Sequence, residues 1–414
     1  MEPLSQAAGS VASAHLPAPG PRTFTPAPVS RLASGRRPEF RCRSITTERA
    51  FLELEVLWNE LAADVRRPHP FQSWDFAVEW WRHFVNRRVG RATGAFEVIV
   101  VHDRDGRVIG IVPLYEEHGL GGPALGRRLQ PFGRSYSFEA MADEPTALFR
   151  SGRERAALDA VREHLIQRAA EQGWDVAVVT GVIDDGLASR PRLQRRTVEL
   201  DRPMETAMTV HLPRSWPRYV GGLSKSMRDN LAFYSKRLDR EASPWRMWTA
   251  RSPASVAMAT EALIALHRKR SQSAVGKPHC SHIPTHVHAS FLRHWFQRLA
   301  RRNRISLVVM ESQEGIRAVQ AFLDSPDVVS VYYSGYDADF ARFSALTLIT
   351  AARIKEAIAD GVPCVEFPPG SSTWSSRWGA RAGAGVRETS IYALSAGAMV
   401  RGLGRRCKVG RRAQ

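Results

Sequence analysis

One structural phrase occurs twice in this chain, about two hundred residues apart. The first copy runs Val98-Ile-Val-Val-His-Asp-Arg-Asp-Gly106, then Arg107-Val-Ile-Gly-Ile-Val-Pro-Leu114. The second runs Leu307-Val-Val-Met-Glu-Ser-Gln-Glu-Gly315, then Ile316-Arg-Ala-Val-Gln-Ala-Phe-Leu323. Each is a β-branched run, an acidic turn closed by glycine and a second apolar run, the pattern of a β-hairpin. Each is followed by an amphipathic helix ending in glycine (Leu158 to Gly173, Leu346 to Gly361) and a short strand (175–180, 364–367). A repeated hairpin–helix–strand unit predicts two modules of one mixed α/β fold.

The length of 414 residues suits two cores better than one. The expected division is 1–39 as a Pro/Ala/Arg-rich leader, 40–212 and 213–400 as the two modules, and 401–414 as a basic tail. Pro213 and Trp216-Pro217 mark the middle boundary. No apolar run approaches the eighteen residues of a membrane span, and the N-terminus lacks the apolar core of a secretory signal. Four scattered cysteines fit a reducing compartment, so a cytoplasmic location is expected.

The formal charge of +18 invites a nucleic-acid reading, yet only 6 of the 59 basic residues are lysine, a bias that codon usage alone can produce. No nucleic-acid-binding module is recognisable, so no specific nucleic-acid partner is expected. The tail Arg401-Gly-Leu-Gly-Arg-Arg-Cys-Lys-Val-Gly-Arg-Arg412 can touch anionic surfaces weakly.

Between the repeats, Thr47 caps a helix through Leu61, and Ser73 caps a second in which Phe76, Trp80 and Phe84 recur every four residues, a core stripe expected to pack on a sheet. A strand is expected near Tyr136 to Ala140, a loop from Asp184 to Arg196 and a strand at Met208 to Leu212. Leu223, Met227, Leu231, Tyr234 and Leu238 form the apolar face of a helix whose other face carries Lys225, Arg228, Lys236, Arg237 and Arg240, read as a solvated face. Ser252-Pro253 opens the next helix and His286 to Arg301 another. His279, Cys280, His282, His286 and His288 are dense, but their spacing matches no standard zinc pattern and prolines break the segment, so no metal is expected.

The richest segment is Val331-Tyr-Tyr-Ser-Gly-Tyr-Asp-Ala-Asp-Phe-Ala-Arg-Phe-Ser-Ala-Leu-Thr-Leu-Ile349. A strand there feeds a helix beginning near Ala345, and such a helix start offers free N–H groups and a positive dipole end to an anion.

Several phrases carry a resemblance: Pro70-Phe71-Gln72-Ser73 with Glu79-Trp80-Trp81, Gly110-Ile-Val-Pro113-Leu114-Tyr115, Leu266-His267-Arg268-Lys269-Arg270, Gly335-Tyr336-Asp337 through Arg342-Phe343-Ser344, Ala357-Ile-Ala-Asp-Gly361 and Arg377-Trp378-Gly379-Ala380. In this order the chain resembles GNAT-superfamily acyltransferases of the CelD-like type, associated with cellulose and polysaccharide biosynthesis and distantly similar to the Fem peptidoglycan transferases. The resemblance implies two tandem GNAT-like modules, each a mixed, mostly antiparallel sheet flanked by helices, the second holding acetyl-CoA or another acyl-CoA where strands 328–334 and 364–367 splay apart. The pyrophosphate would lie on Arg342-Phe343-Ser344-Ala345-Leu346-Thr347. Acyl transfer needs a base, donors facing the thioester oxygen and an acid for the thiolate. The candidate bases are Asp337, Glu366, His267 and Glu311; the candidate acids are Tyr332, Tyr333 and Tyr336. Arg270, Trp374, Arg377 and Trp378 would meet the acceptor, a sugar, polysaccharide precursor or small amine or alcohol. The chain departs from the pattern at Ala345-Leu346, where relatives commonly have Pro-Gly and where a methyl is expected to crowd the phosphates, and at Trp374-Ser375, where they tend to have Tyr-Lys. The alternatives are a non-catalytic double-GNAT assembly protein and a Fem-like aminoacyl-tRNA-dependent transferase, the latter suggested by the basic helix at 225–240.

Overall fold

In the computed structural model the described residues are 39–393, apart from 66–67, 120–121, 173, 182–191, 195–196, 206, 243, 273–280, 371 and 384. Residues 1–38 of the expected leader (1–39), the basic tail and most of the segment 184–196 lie outside them.

The first part of the chain runs β1 (Arg41–Ile45), α1 (Glu48–Leu52), α2 (Glu55–Ala63), α3 (Trp74–Trp80), β2 (Ala92–His102), β3 (Val108–Gly119), β4 (Gly122–Pro131), β5 (Leu148–Phe149), α4 (Glu154–Gln172), β6 (Val176–Gly181), β7 (Arg192–Gln194) and β8 (Thr197–Met204). The rest runs β9 (Met208–His211), α5 (Trp216–Gly222), α6 (Lys225–Glu241), β10 (Trp245–Ala250), α7 (Pro253–Gln272), α8 (His286–Arg301), β11 (Ile305–Ser312), β12 (Gly315–Asp324), β13 (Val328–Tyr336), α9 (Ala345–Ala359), β14 (Cys364–Phe367), α10 (Ser372–Ser375), β15 (Arg381–Ala382) and β16 (Val386–Ala393).

The strands form two sheets built alike. One has the order β1-β2-β3-β4-β6-β16-β8-β7 with β5 beside β3; the other has the order β10-β11-β12-β13-β14-β9-β15. In each, the repeated hairpin (β2–β3, β11–β12) sits beside a third antiparallel strand, and a helix crosses over to a parallel fourth, α4 joining β4 to β6 and α9 joining β13 to β14. The hairpins turn at Gly106 and Gly315, whose φ of +80° and +107° are open to glycine without strain. This is the expected mixed α/β class, in two mostly antiparallel sheets flanked by helices.

The expected boundary at residue 212/213 does not separate the sheets. β9 precedes it, yet pairs with β14 in the second sheet (Val365 opposite Val210). β16, near the end of the chain, lies between β6 and β8 in the first. Each sheet takes its next antiparallel strand from a distant part of the sequence, and the described residues fall in one compact unit.

Other expectations also shift. The helix capped by Thr47 breaks at Glu53-Leu54 into α1 and α2. The strand expected at 136–140 is absent; β4 lies earlier, and residues 136–140 are loop. The stretch expected as loop to Arg196 contains β7 at 192–194. The Phe76-Trp80-Phe84 stripe is core as expected, but its partners include a helix of the second half. Every residue of α3 is buried, the mark of a helix enclosed on all sides. Phe76 meets Phe291 and Trp295 with ring centroids 5.6 and 5.2 Å apart, and Phe71 stacks on Trp295 at 5.6 Å. Two carboxylates are carried into this seam on α3. Arg298 of α8 donates to Asp75 at 3.0 Å and to Glu79 at 2.8 Å, and Arg302 reaches Asp75 at 2.7 Å. Buried carboxylates demand such partners.

Because one aromatic core spans both halves, urea should unfold the chain in a single transition by fluorescence and far-UV circular dichroism. Trp295→Ala should lower stability by roughly 3–5 kcal/mol and leave the transition single. Two separated transitions in the unsubstituted protein would contradict the shared core.

Candidate active site

β13 and β14 are hydrogen-bonded only at Val328–Cys364, Val329–Val365 and Ser330–Glu366. β14 ends at Phe367 while β13 runs on to Tyr336, so the parallel pair opens beyond Ser330 and Glu366. Gly335 lies against α7 here; a Cβ would come within 2.7 Å of the His267 nitrogen and the Leu263 carbonyl, and only glycine admits so close a helix.

At the open end the chain makes a short 3-10 turn (Ala338–Phe343) and enters α9 through Ser344, whose φ of +48° is left-handed and whose side chain caps nothing. The amides of Ala345 and Leu346 have no hydrogen-bond partner among the described residues, leaving a positive helix end available to an anion. The Ala345 side chain is buried, in the same core cluster as Leu348 and Ile349. Arg342 is exposed, its guanidinium 4.7 Å from the Phe343 ring centre. The basic face of α6 is largely solvated as expected, with Lys225, Lys236 and Arg240 exposed, while Arg237 reaches this turn: it donates to the Arg342 carbonyl at 3.3 Å and lies 5.8 Å from the Phe343 ring. Thr347 is half-buried in the first turn of α9.

Most of the acid–base candidates are engaged elsewhere. Asp337 accepts from Lys269 at 3.1 Å, Arg317 at 3.2 Å and the Asp339 amide at 3.2 Å. Burial pushes its carboxyl up, but Lys269, the Asp339 amide and Arg317 together hold it below the usual range. His267 accepts from the His282 amide through Nε2 at 3.1 Å, so the proton sits on Nδ1, 2.9 Å from the Ser334 carbonyl. Both of its nitrogens are satisfied within the fold. Glu311 pairs with Arg246 and Trp248 near the outer edge of the second sheet. Tyr332 donates to the Met141 carbonyl at 2.6 Å and Tyr333 lies 3.5 Å from the Met141 sulfur; burial pushes both phenols up. The Tyr336 hydroxyl accepts from Arg270 at 3.1 Å. Trp374 and Trp378 pack around Phe367 with ring centroids 5.0 and 6.5 Å away, forming a wall past the end of β14, while Arg377 is exposed.

Glu366 stands at the point of divergence, with the Ser330 hydroxyl 3.4 Å from one oxygen. It lines a cavity of about 830 Å³ between the halves, shared with His69, Glu144, Arg304, Asp327 and Arg381. A smaller one of about 20 Å³ also touches His69, Glu144, Ser330 and Glu366 and reaches Val331, Tyr332 and Phe367. The two meet where the strands part.

Sequence reasoning missed Asp143 and Glu144. They lie on the segment 132–153 joining β4 to α4, the place where the second half has only its short turn. This longer connection brings both carboxylates to the cleft. Burial pushes Glu144 up to about 7; the Ala207 amide, donating at 3.0 Å, and Arg134 oppose the shift, while Glu366 and Asp143 add to it. Burial likewise takes Asp143 to about 6 against the pull of His282 and Arg134. The Glu-Pro pair Glu144-Pro145 gives no periodic or motif signal by which it could have been singled out. Among the described residues no group of three or more His, Cys, Asp or Glu could hold a metal, and no helix is long and apolar enough to cross a membrane. His279 and Cys280 lie outside the described residues.

Residues 225–376 match the family described as an acetyltransferase (GNAT) domain. Among solved structures the chain is similar to FemX, with 9% identity, a TM-score of 0.53, and 87% of this chain and 99% of that one covered. That likeness speaks for the fold alone. A tandem GNAT protein from the clavulanic acid biosynthesis pathway matches with 13% identity and a TM-score of 0.44 over 86% of this chain and 99% of that one. Saccharomyces cerevisiae N-myristoyltransferase with bound myristoyl-CoA matches with 12% identity and a TM-score of 0.38 over 89% and 85%. No curated protein matches the chain.

The ion pairs of Asp337 generate a test by pH. Its carboxyl is depressed in the fold, so the stability it contributes is present above its unfolded pKa of about 3.9 and is lost as pH falls through the lower folded value. Asp337→Asn should therefore be less stable than the parent to urea at pH 7, with the gap closing towards pH 2. A gap unchanged at pH 2 would contradict the assignment.

Proposed function

We propose that this chain, whose second half carries a GNAT-type acetyltransferase domain, is an acyl-CoA-dependent acyltransferase. The observation that carries the reading is the opening of β13 from β14 beyond Ser330 and Glu366, beside an uncapped helix end. The main chain of β13 beyond Ser330, which is not paired with β14, can pair with the amides of a pantetheine arm as a further strand would. The amides of Ala345 and Leu346, with Arg342, suit a pyrophosphate, and α6 adds positive charge beside it. Opposing this end, the cavity between the halves suits an acceptor that meets the thioester at the divergence. Acetyl-CoA is the proposed donor and a sugar, polysaccharide precursor or small amine or alcohol the proposed acceptor, in line with the CelD-like phrases and a cytoplasmic setting.

Within this reading the residues divide their work. The open strand pair aligns the thioester, the helix end and basic residues hold the phosphates, and the carboxylates at the divergence receive the acceptor's proton. A Fem-like use of aminoacyl-tRNA has one observation in its favour, the basic face of α6 beside the same turn.

Calorimetric titration with acetyl-CoA should give a single site, and the complex should melt at a higher temperature than the free protein. Arg342→Ala should weaken binding about tenfold, or about 1.4 kcal/mol, leaving the free protein's melting temperature unchanged. Absence of binding would overturn the reading, and unchanged affinity in the variant would overturn the phosphate turn. A steep fall of tRNA affinity with salt, without acetyl-CoA binding, would favour the aminoacyl-tRNA reading instead.

A further inference from the structure

We propose that Glu144, from the first half of the chain, is the catalytic base of this site and that its acceptor is an amine carrying an anionic group, held by Arg304 and Arg381. The inference rests on the acyltransferase reading and deepens it.

Position is the first argument. Glu144 lines both cavities, the large one open to an acceptor and the small one reaching the divergence of β13 and β14. Its Oε1 is fixed by the Ala207 amide at 3.0 Å, and its Oε2 has no hydrogen-bond partner among the described residues. Asp337, His267 and Glu311 are each bound within the fold as described, so they are not free to take a proton at this point.

Charge is the second. Asp143 and Arg134 of its own connection and Glu366 of β14 act on Glu144, and His69 ahead of α3 and His211 of β9 line the same large cavity. Three carboxylates against one arginine at the inner end favour a cationic group over a neutral hydroxyl. Farther along the cavity wall, Arg304 and Arg381 have side chains with no ion-pair partner among the described residues, with Asp327 close by in the lining. A small molecule with an ammonium at one end and a carboxylate or phosphate at the other matches this charge order.

The chemistry balances. Glu144 removes one proton from the ammonium, and the freed nitrogen lone pair attacks the thioester carbonyl carbon. The C–N bond forms, the C–S bond breaks, and the second nitrogen proton goes to the departing thiolate. Glu144 then returns its proton to solvent. A base whose carboxyl has been pushed up to about 7 by burial and by Glu366 and Asp143 is matched to this task near neutral pH. It acts when ionised, so kcat/KM should rise as pH increases through about 7.

The test uses the full chain, acetyl-CoA and paired acceptors: glucosamine 6-phosphate against glucosamine, and an amino acid against its amide. Glu144→Gln should bind acetyl-CoA as the parent does, lose kcat/KM by roughly a hundredfold or more, and lose the rising pH limb. Glu144→Asp, which keeps the carboxyl, should retain the limb at reduced rate and serves if the glutamine variant does not fold. Arg304→Ala and Arg381→Ala should each raise KM about tenfold for the anionic acceptors while leaving the neutral ones unchanged. Normal acetyl-CoA binding with an unchanged rate and pH limb in Glu144→Gln overturns the base, as does loss of the limb in Glu366→Gln alone. Equal rates for anionic and neutral acceptors, or no reaction with any amine, overturn the acceptor class. Failure of the parent protein to bind acetyl-CoA overturns the underlying reading and this inference with it.

Discussion

The architecture depends on the seam between α3 and α8. Aromatic rings from Phe71 to Phe84 interlock with Phe291 and Trp295, and Arg298 closes over Asp75 and Glu79 within the same layer. Rings of this size bury large apolar areas with fixed mutual geometry, and the buried carboxylates would be strongly destabilising without their arginines. The exchange of β9 and β16 between the sheets acts in the same direction. Two modules that could have been separate domains are thereby held in one arrangement.

That arrangement makes a composite cleft possible. The second half alone supplies an opened strand pair and an uncapped helix end; the connection from β4 to α4 delivers Asp143 and Glu144 to the other side of the same point. Charge is then ordered along the site. Positive groups gather around the entrance to α9, and carboxylates gather where β13 and β14 part. In a partly desolvated cleft such an order acts more strongly than it would in water. The first half has a similar brief parallel pairing, β4 with β6 at Arg128–Val176 and Leu129–Ala177, but a long connection takes the place of the short turn into a helix. The asymmetry of these two connections separates the roles of otherwise similar sheets.

Much of the fold was legible because it is local. Hairpin turns need glycine at positive φ, helix starts need caps such as Ser73 and Ser224, and strand and helix periods show in the apolar pattern. The turn at Arg342–Thr347 was legible for the same reason, since a strand feeding a helix start is a local event. The acid–base candidates were less legible. Asp337 and His267 have the right chemistry and neighbourhood, but their partners, Lys269, Arg317, Ser334 and His282, come from other segments and occupy them. Whether a titratable group is free or bound is a property of its surroundings, which a linear pattern does not encode.

The sequence by itself determined the repeated unit, the two mixed sheets, the crossover helices and the strand-to-helix turn into α9, because each follows from side-chain period, turn stereochemistry or backbone hydrogen bonding over short spans. Only the tertiary structure decided that β9 and β16 change places, that the aromatic stripe binds the halves together, that α6 lies beside the α9 turn and that Glu144 faces Glu366. Those are contacts between residues far apart in the chain. Their energies come from desolvation and charge proximity, quantities that exist only once the segments have met.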